Sequence, residues 1–134
     1  MKRLLPALLS LACTVSFPVL AASAPDSHPC AAPWLGRIIN VHYPIGGFRL
    51  EFARDGRTLS WTSLTDPQLH DTVIYTAREV KPGVHALSWY EPRYNEDAFQ
   101  FQDWNTHVVH AVLIADQPEI QSSTGTFEVV GSVP

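Results

Sequence analysis

The sequence has few charged side chains and no cluster of basic ones. Asp, Glu, Lys and Arg make up 16% of the 134 residues, against roughly 25% in a typical soluble domain. The formal net charge is −4. Because proteins that bind DNA or RNA usually present a basic stripe, this composition argues against a nucleic acid as partner.

The sequence also lacks the short motifs of cofactor, metal and nucleophile sites. It contains no Gly-rich phosphate-binding loop and no Gly-x-Ser-x-Gly segment. The six histidines are scattered. His107 and His110 would lie on opposite faces of a strand, so they could not bind one metal ion together. The sequence therefore predicts neither a metal centre nor a bound cofactor.

The N-terminus has the pattern of a secretory signal peptide. Lys2 and Arg3 precede an apolar stretch over residues 4–19, and small residues follow at positions 21–24. We predict a signal peptide over residues 1–21, cleaved after Ala21, and hence a periplasmic or secreted protein. A stable membrane span is disfavoured, because Pro18 and the small residues end the apolar stretch early.

Two cysteines allow further interpretations of this region. Ser10-Leu11-Ala12-Cys13 resembles a bacterial lipoprotein cleavage site, although Ser10 stands where a branched aliphatic residue is usual. Cleavage after Ala21 would leave Cys30 as the only cysteine, which excludes an intrachain disulfide. Cys30 lies in a Pro-rich leader over residues 22–33. It either joins two chains into a dimer or remains an exposed thiol, and we favour the exposed thiol.

Beyond the leader, the chain consists of short β-like segments separated by turn signals such as Asp55-Gly56 and Pro82-Gly83. No segment keeps a helical period over a dozen residues. We predict eight strands, over residues 34–43, 48–52, 58–64, 72–80, 84–91, 97–104, 107–115 and 124–130. Eight antiparallel strands hide their edges most easily by closing. We therefore predict one all-β barrel over residues 34–134, with room inside for side chains or one small ligand.

The turns also predict which side chains face the barrel interior. A turn centred on Pro82 pairs Val80 with Val84 and Tyr75 with Trp89. A loop over residues 92–96 then pairs Trp89 with Phe99, and a turn at Asn105-Thr106 pairs Phe101 with His110. The predicted inward apolar face comprises Tyr75, Leu87, Trp89, Phe99, Phe101 and Val112, with Gln100 and Gln102 pointing outward. A slip of one residue would invert every face.

Two inward polar residues are candidates for chemistry. Glu91 ends a strand whose inward neighbours are Leu87 and Trp89, so desolvation would raise its pKa and suit it to proton transfer near neutral pH. The alternative is a solvated Glu91 at the barrel rim. His110 lies among apolar neighbours and could donate a hydrogen bond to Glu91 or to a ligand. A hydrogen-bonded core histidine is the alternative for His110.

The remaining candidates would line a ligand pocket, although aromatic side chains also fill small barrels by themselves. The candidate ligand-binding residues are Tyr43, Trp61, Tyr75, Leu87, Trp89, Phe99, Phe101 and Asp103. For Asp103 the alternative is a cross-strand polar pair with His85.

The segment Val-Lys-Pro-Gly-Val-His-Ala-Leu-Ser-Trp-Tyr-Glu-Pro, followed by Phe-Gln-Phe-Gln-Asp-Trp, forms a recognisable pattern. Together with Gly125-Thr126-Phe127 it resembles the MoaF-like family of small lipocalin-like (calycin) barrels, over residues 34–130. This resemblance implies an eight-stranded calycin barrel, and it implies no defined biochemical activity.

The same stretch is similar to phenolic acid decarboxylases, which carry Ser-Trp-Thr-Glu-Pro where this chain has residues 88–92. That similarity implies a catalytic role for Glu91 and a contact between Tyr43 and the substrate carboxylate. Val41 stands at the position of a second tyrosine of that family, and residues 61–63 contain no counterpart of its arginine. Both departures argue against decarboxylation.

Three functions follow from these observations. The favoured one is an exported protein that binds a small, partly apolar molecule inside its barrel. The second is an enzyme that uses Glu91 for proton transfer on an aromatic or carbonyl compound. The third is a protein-interaction module that acts through rim loops over residues 65–71 and 92–96.

Overall fold

The computed structural model describes residues 32–115 and 120–134. The predicted signal peptide, most of the leader, Cys13 and Cys30 lie outside the described residues. The strands are β1 (Arg37–Tyr43), β2 (Gly46–Phe52), β3 (Thr58–Ser63), β4 (His70–Lys81), β5 (Val84–Glu91), β6 (Glu96–Asp103), β7 (Val108–Ala115) and β8 (Ile120–Ser132). In the part of the chain described, no helix has the length and apolarity needed to cross a bilayer.

The eight strands form one closed barrel in chain order, and each pairs antiparallel with its neighbours. β8 pairs with β1, from Arg37 opposite Ser132 to His42 opposite Thr126. Closure removes the unpaired edges that an open sheet of this length would expose. The predicted all-β antiparallel barrel is confirmed.

Local sequence explains the tight turns that hold this register. At the β2–β3 turn, Gly56 has a positive φ of 69°, which glycine adopts without steric cost. The carboxylate of Asp55 accepts hydrogen bonds from the backbone N–H groups of Arg57 and Thr58, both at 2.8 Å. The Asp-Gly turn signal therefore has the structural role that the sequence predicts.

The segment that precedes β1 closes one end of the barrel. We call this end of the barrel the Trp34 end. Trp34 is 4% exposed. Its Nε1 donates to the hydroxyl oxygen of Tyr75 at 2.8 Å. Its ring packs edge-on against His85, with centroids 4.6 Å apart. The other end, where the β1–β2, β3–β4 and β5–β6 turns lie, is the open end.

Replacing Tyr75 with phenylalanine should lower the free energy of unfolding by about 1 kcal/mol, because the buried Nε1 of Trp34 loses its acceptor. Tyr90→Phe is the matched control, since the Tyr90 hydroxyl donates to Asn95 on the exposed surface and should change stability by less than about 0.5 kcal/mol. Urea unfolding of both variants measures the difference. Equal losses would show that the Trp34–Tyr75 hydrogen bond contributes nothing specific.

The register between β5 and β6 differs from the prediction by one residue. Trp89 pairs with Ala98, not with Phe99, and Leu87 pairs with Gln100. The cause is the connecting loop, which spans residues 92–95 rather than 92–96 and contains Asn95 at a positive φ of 54°. Because side chains alternate along a strand, the shorter loop turns every β6 side chain to the opposite face.

Two other predicted pairings have different outcomes. Tyr75 opposite Trp89 is confirmed, but an irregularity between Glu79 and Lys81 places Lys81, and not Val80, opposite Val84. The pairing of Phe101 with His110 in β6 and β7 is also confirmed. Both residues of this pair lie on the outer face of the barrel, because the whole of β6 is turned over.

Candidate functional site

A cavity of about 640 Å³ occupies the open end of the barrel. Molecules of drug size bind in pockets of roughly 300–1,000 Å³, so the barrel interior has room for one of them. Its walls come from the ends of β1, β3, β5 and β7 and the beginnings of β2, β6 and β8. The residues used below are the aromatic Tyr43, Phe48, Trp61, Trp89 and Tyr94, the acidic Glu91 and Glu96, and Gln100, Ala111 and Leu113.

Glu91 is the last residue of β5 and is 7% exposed. Its Oε1 accepts a hydrogen bond from Nε1 of Trp89 at 2.8 Å, because residues two apart on a strand share a face. Burial raises the pKa of Glu91 to about 7; the bond from Trp89 opposes this shift, and the charges of Glu96 and Asp71 add to it. Glu91 is therefore an inward carboxyl group that titrates near neutral pH, and its predicted inward position is confirmed.

The acidic side chains of the cavity, Glu91 and Glu96, have no cationic partner among the described wall residues. Among the described residues that line the cavity, two are glutamates and none is lysine, arginine or histidine. The nearby Arg93 donates to the backbone carbonyl of His70 at 3.2 Å, and its guanidinium carbon lies 5.8 Å from the centroid of the Tyr94 ring. An anionic ligand would therefore find no positively charged side chain in these walls, and the negative charge of the glutamates would oppose its binding.

A chain of hydrogen bonds along the inner face of β6 ends at Tyr43. Nε1 of Trp104 donates to Oε1 of Gln102 at 3.1 Å. Nε2 of Gln102 then donates to Oε1 of Gln100 at 2.8 Å. Nε2 of Gln100 donates to the hydroxyl oxygen of Tyr43 at 3.2 Å. Burial raises the pKa of Tyr43, so its hydroxyl stays neutral and can donate its own hydrogen into the cavity.

Two further polar atoms of the cavity walls are buried without a partner in the described structure. They are Nε1 of Trp61 and the hydroxyl oxygen of Tyr94. The two rings lie close to each other, with centroids 5.5 Å apart. Because buried polar groups are nearly always hydrogen-bonded, these groups favour a ligand or water with an acceptor atom.

The predicted site residues divide into three groups. Tyr43, Trp61, Trp89 and Glu91 line the cavity. Tyr75 and Leu87 are buried on the same inner surface but belong to the core nearer the Trp34 end. Phe99, Phe101, His110 and Asp103 lie elsewhere, and the prediction that they face the interior is wrong.

The corrections have local causes. Phe99 and Phe101 are 39% and 45% exposed, since the β5–β6 register turns them outward. Val109 and Ala111 take the inward positions of β7, so His110 points outward and its Nδ1 lies 2.8 Å from Oγ1 of Thr124.

Asp103 ends β6 at the Trp34 end, away from the cavity. Its Oδ1 accepts hydrogen bonds from the backbone N–H groups of Asn105 at 2.9 Å and Thr106 at 3.3 Å. It therefore stabilises the β6–β7 turn. The predicted pairing of Asp103 with His85 is also wrong, because Gln102 lies opposite His85.

Gln100 and Tyr94 are cavity residues that sequence reasoning missed. Gln100, Gln102 and Trp104 occupy alternate positions and therefore lie on one face of the strand. This alternation of hydrogen-bonding side chains is the signal that could have identified Gln100 as a cavity residue. Tyr94 lies in the β5–β6 loop, where no periodicity exists to indicate its direction. In residues 32–115 and 120–134, no group of three or more His, Cys, Asp or Glu side chains is arranged to hold a metal ion.

Comparisons with known proteins agree with this architecture. The family model described as MoaF-like matches residues 35–128. The barrel is similar to the crystal structure of a "putative beta-lactamase" from Burkholderia vietnamiensis, with a TM-score of 0.67 and 20% sequence identity over 74% of this chain and 97% of that one. At that identity the likeness concerns the fold alone. No curated protein matches the sequence.

Proposed function

The chain belongs to the MoaF-like family, and on this premise we propose that it binds a small, partly apolar molecule inside the barrel. The observation that carries the proposal is the cavity of about 640 Å³ at the open end. Its walls combine aromatic rings with a few polar groups, which is the usual composition of a small-molecule site. The unpartnered Nε1 of Trp61 and the hydroxyl of Tyr43 would donate to an acceptor on the ligand.

Replacing Ala111 with tryptophan should weaken binding at least tenfold, because the indole would occupy the cavity. The neutral fluorescent reporter N-phenyl-1-naphthylamine, titrated into wild type and variant, measures the effect. His110→Trp is the matched control: it adds the same ring one residue away on the outer face of β7. Circular dichroism and thermal unfolding establish that both variants fold, and Ala111→Leu serves if the tryptophan variant does not.

Two results would contradict the binding proposal. One is the absence of saturable reporter binding to the wild-type protein. The other is equal loss of binding in Ala111→Trp and His110→Trp, which would place the reporter outside the cavity or attribute the loss to general instability.

The titration of Glu91 near neutral pH favours a second candidate function, proton transfer on a molecule held in the cavity. The absence of a cationic side chain among the described wall residues argues against carboxylate substrates, and hence against decarboxylation. Wild type and Glu91→Gln should therefore both leave 4-hydroxycinnamate unchanged. Turnover by wild type that is lost in the variant would replace the binding proposal with the catalytic one.

We also propose that the protein is exported and that binding takes place in the periplasm or outside the cell. The N-terminal pattern of Lys2, Arg3 and the apolar stretch that follows supports this proposal. Mass spectrometry of the mature protein should give an N-terminus at Ala22. A diacylated Cys13 would instead identify a lipoprotein, and an intact N-terminus would contradict export through this signal.

A further inference from the structure

We propose that the cavity selects organic cations, such as ammonium groups on an apolar body, over neutral and anionic molecules of the same shape. This inference rests on the proposed function and names the chemical class of its ligand. It follows from two features of the open end: acidic groups without a counter-charge among the described wall residues, and a connected set of aromatic rings.

Two acidic side chains line the cavity, and a third lies close enough for its charge to act on Glu91. Glu91 ends β5, Glu96 begins β6 and Asp71 lies near the start of β4. Asp71 is on the inward side of β4, in phase with the buried Val73. Its Oδ2 is buried without a partner in the described structure. An ammonium group beside Glu91 and Glu96 would supply the positive charge that the described wall residues lack.

The aromatic rings form a connected wall beside these acids. The ring centroids of Tyr43 and Phe48 are 6.4 Å apart, those of Phe48 and Trp61 are 5.8 Å apart, and those of Trp61 and Tyr94 are 5.5 Å apart. Ring faces attract cations through their quadrupoles, and tryptophan does so most strongly. Apolar packing alone would accept any ligand of suitable size, whereas rings next to desolvated carboxylates discriminate by charge.

The groups that surround Glu91 on every side agree with this charge preference. Trp89 on its own strand donates a hydrogen bond to it, and Glu96 and Asp71 add negative charge from the neighbouring strands. Tyr43 and Tyr94 share the cavity walls and contribute hydroxyl groups to them. Arg93 follows Glu91 by two residues, but its contacts are with His70 and the ring of Tyr94.

Competition among three probes of nearly equal shape tests the inference. They are 3-phenylpropylammonium, 3-phenylpropan-1-ol and 3-phenylpropionate, each displacing N-phenyl-1-naphthylamine from the intact protein at pH 8. We expect the ammonium probe to bind at least tenfold more tightly than the alcohol and the carboxylate probe to bind most weakly. Lowering the pH to 6 should reduce the preference for the ammonium probe over the alcohol, because Glu91 takes up a proton.

The Glu91→Gln variant should reduce the preference for the ammonium probe over the alcohol by about tenfold at pH 8 and make it nearly independent of pH. Glu128→Gln is the matched control, since it removes the same charge from the outer face of β8, where Glu128 lies 3.5 Å from His42; it should keep the wild-type preference.

If the reporter binds and Ala111→Trp blocks it, but the ammonium probe binds no more tightly than the alcohol, the charge inference is overturned and the binding function stands. An unchanged preference in Glu91→Gln also overturns the inference. Absence of reporter binding would remove the proposed function itself.

Discussion

Replacing Gly125 with alanine should destabilise the barrel by about 3 kcal/mol, at the upper end of the usual cost of overpacking. Gly125 lies on β8 next to Thr126, at the end of the segment that pairs with β1 and closes the barrel. A Cβ atom at this position would overlap the backbone carbonyl oxygen of His42 and would lie 2.8 Å from Cδ1 of Tyr43. A backbone carbonyl cannot rotate away as a side chain can, so the β1–β8 seam must separate to admit the methyl group.

Gly131→Ala provides the control for this prediction on the same strand. There the nearest atom to the added Cβ is Cδ1 of Ile38 at 3.7 Å, an ordinary contact. We expect a change within about 0.5 kcal/mol, measured for both variants by urea unfolding. Similar effects at the two positions would mean that the Gly125 effect arises from the loss of glycine in a strand and not from the close approach of β1.

Gly125 also connects barrel closure with the candidate site. The clash would act on Tyr43, whose hydroxyl accepts a hydrogen bond from Gln100 at 3.2 Å in the cavity wall. A shift of β1 would therefore disturb the wall in addition to the seam. In Gly125→Ala, we expect reporter binding to weaken even under conditions where the barrel remains folded.

The strands and the closed topology could be predicted from the sequence, because turn signals and short β-like segments are local properties. Asp55-Gly56 and Pro82-Gly83 mark turns through backbone preferences that act over a few residues. The inward positions of Trp89 and Glu91 followed from one such turn, which fixed the register of β4 and β5. These predictions required no knowledge of distant contacts.

Which side chains of β6 face the barrel interior could not be predicted from the sequence. A change of one residue in the length of the preceding loop reverses the two faces of the strand. Two phenylalanines on one face and two glutamines on the other favour Phe99 and Phe101 inside by hydrophobicity alone. The structure has the opposite arrangement, and the hydrogen bonds among Trp104, Gln102, Gln100 and Tyr43 satisfy the buried amides. A complete polar network of this kind makes an inward glutamine tolerable.

The cavity itself was only partly predictable, because its walls come from distant parts of the chain. Tyr94 lies in a loop, and β8 begins at Ile120, before the predicted start at Thr124. His110 was predicted to face the interior because it lies opposite Phe101 and among apolar neighbours, but alternation gives the inward positions to Val109 and Ala111. Local patterns therefore identified the acidic group of the site and missed several of its neighbours.

Exchanging Glu91 for glutamine should stabilise the protein at pH 8 by about 2 kcal/mol and change its stability little at pH 5. The pKa of Glu91 is about 7 in the fold, against an ordinary value of 4.5. Between these values the folded protein binds more protons than the unfolded chain, so the stability of the wild type falls as pH rises from about 4.5 through about 7. One pKa unit corresponds to about 1.4 kcal/mol. We expect less than the free energy that corresponds to the whole pKa difference, because solvent in the open cavity screens the charge.

The glutamine side chain keeps the hydrogen bond of the site while removing its charge. Its Oε1 can accept from Nε1 of Trp89 as the carboxylate does, so the variant resembles protonated Glu91 at every pH. Urea unfolding at pH 5 and pH 8 measures the predicted difference, and Glu128→Gln on the exposed face should change stability by less than about 0.5 kcal/mol at both. An equal effect of Glu91→Gln at the two pH values would mean that burial of the carboxylate does not oppose folding. The same buried charge could then no longer account for a preference for cations, because both effects require a desolvated carboxylate without a counter-charge.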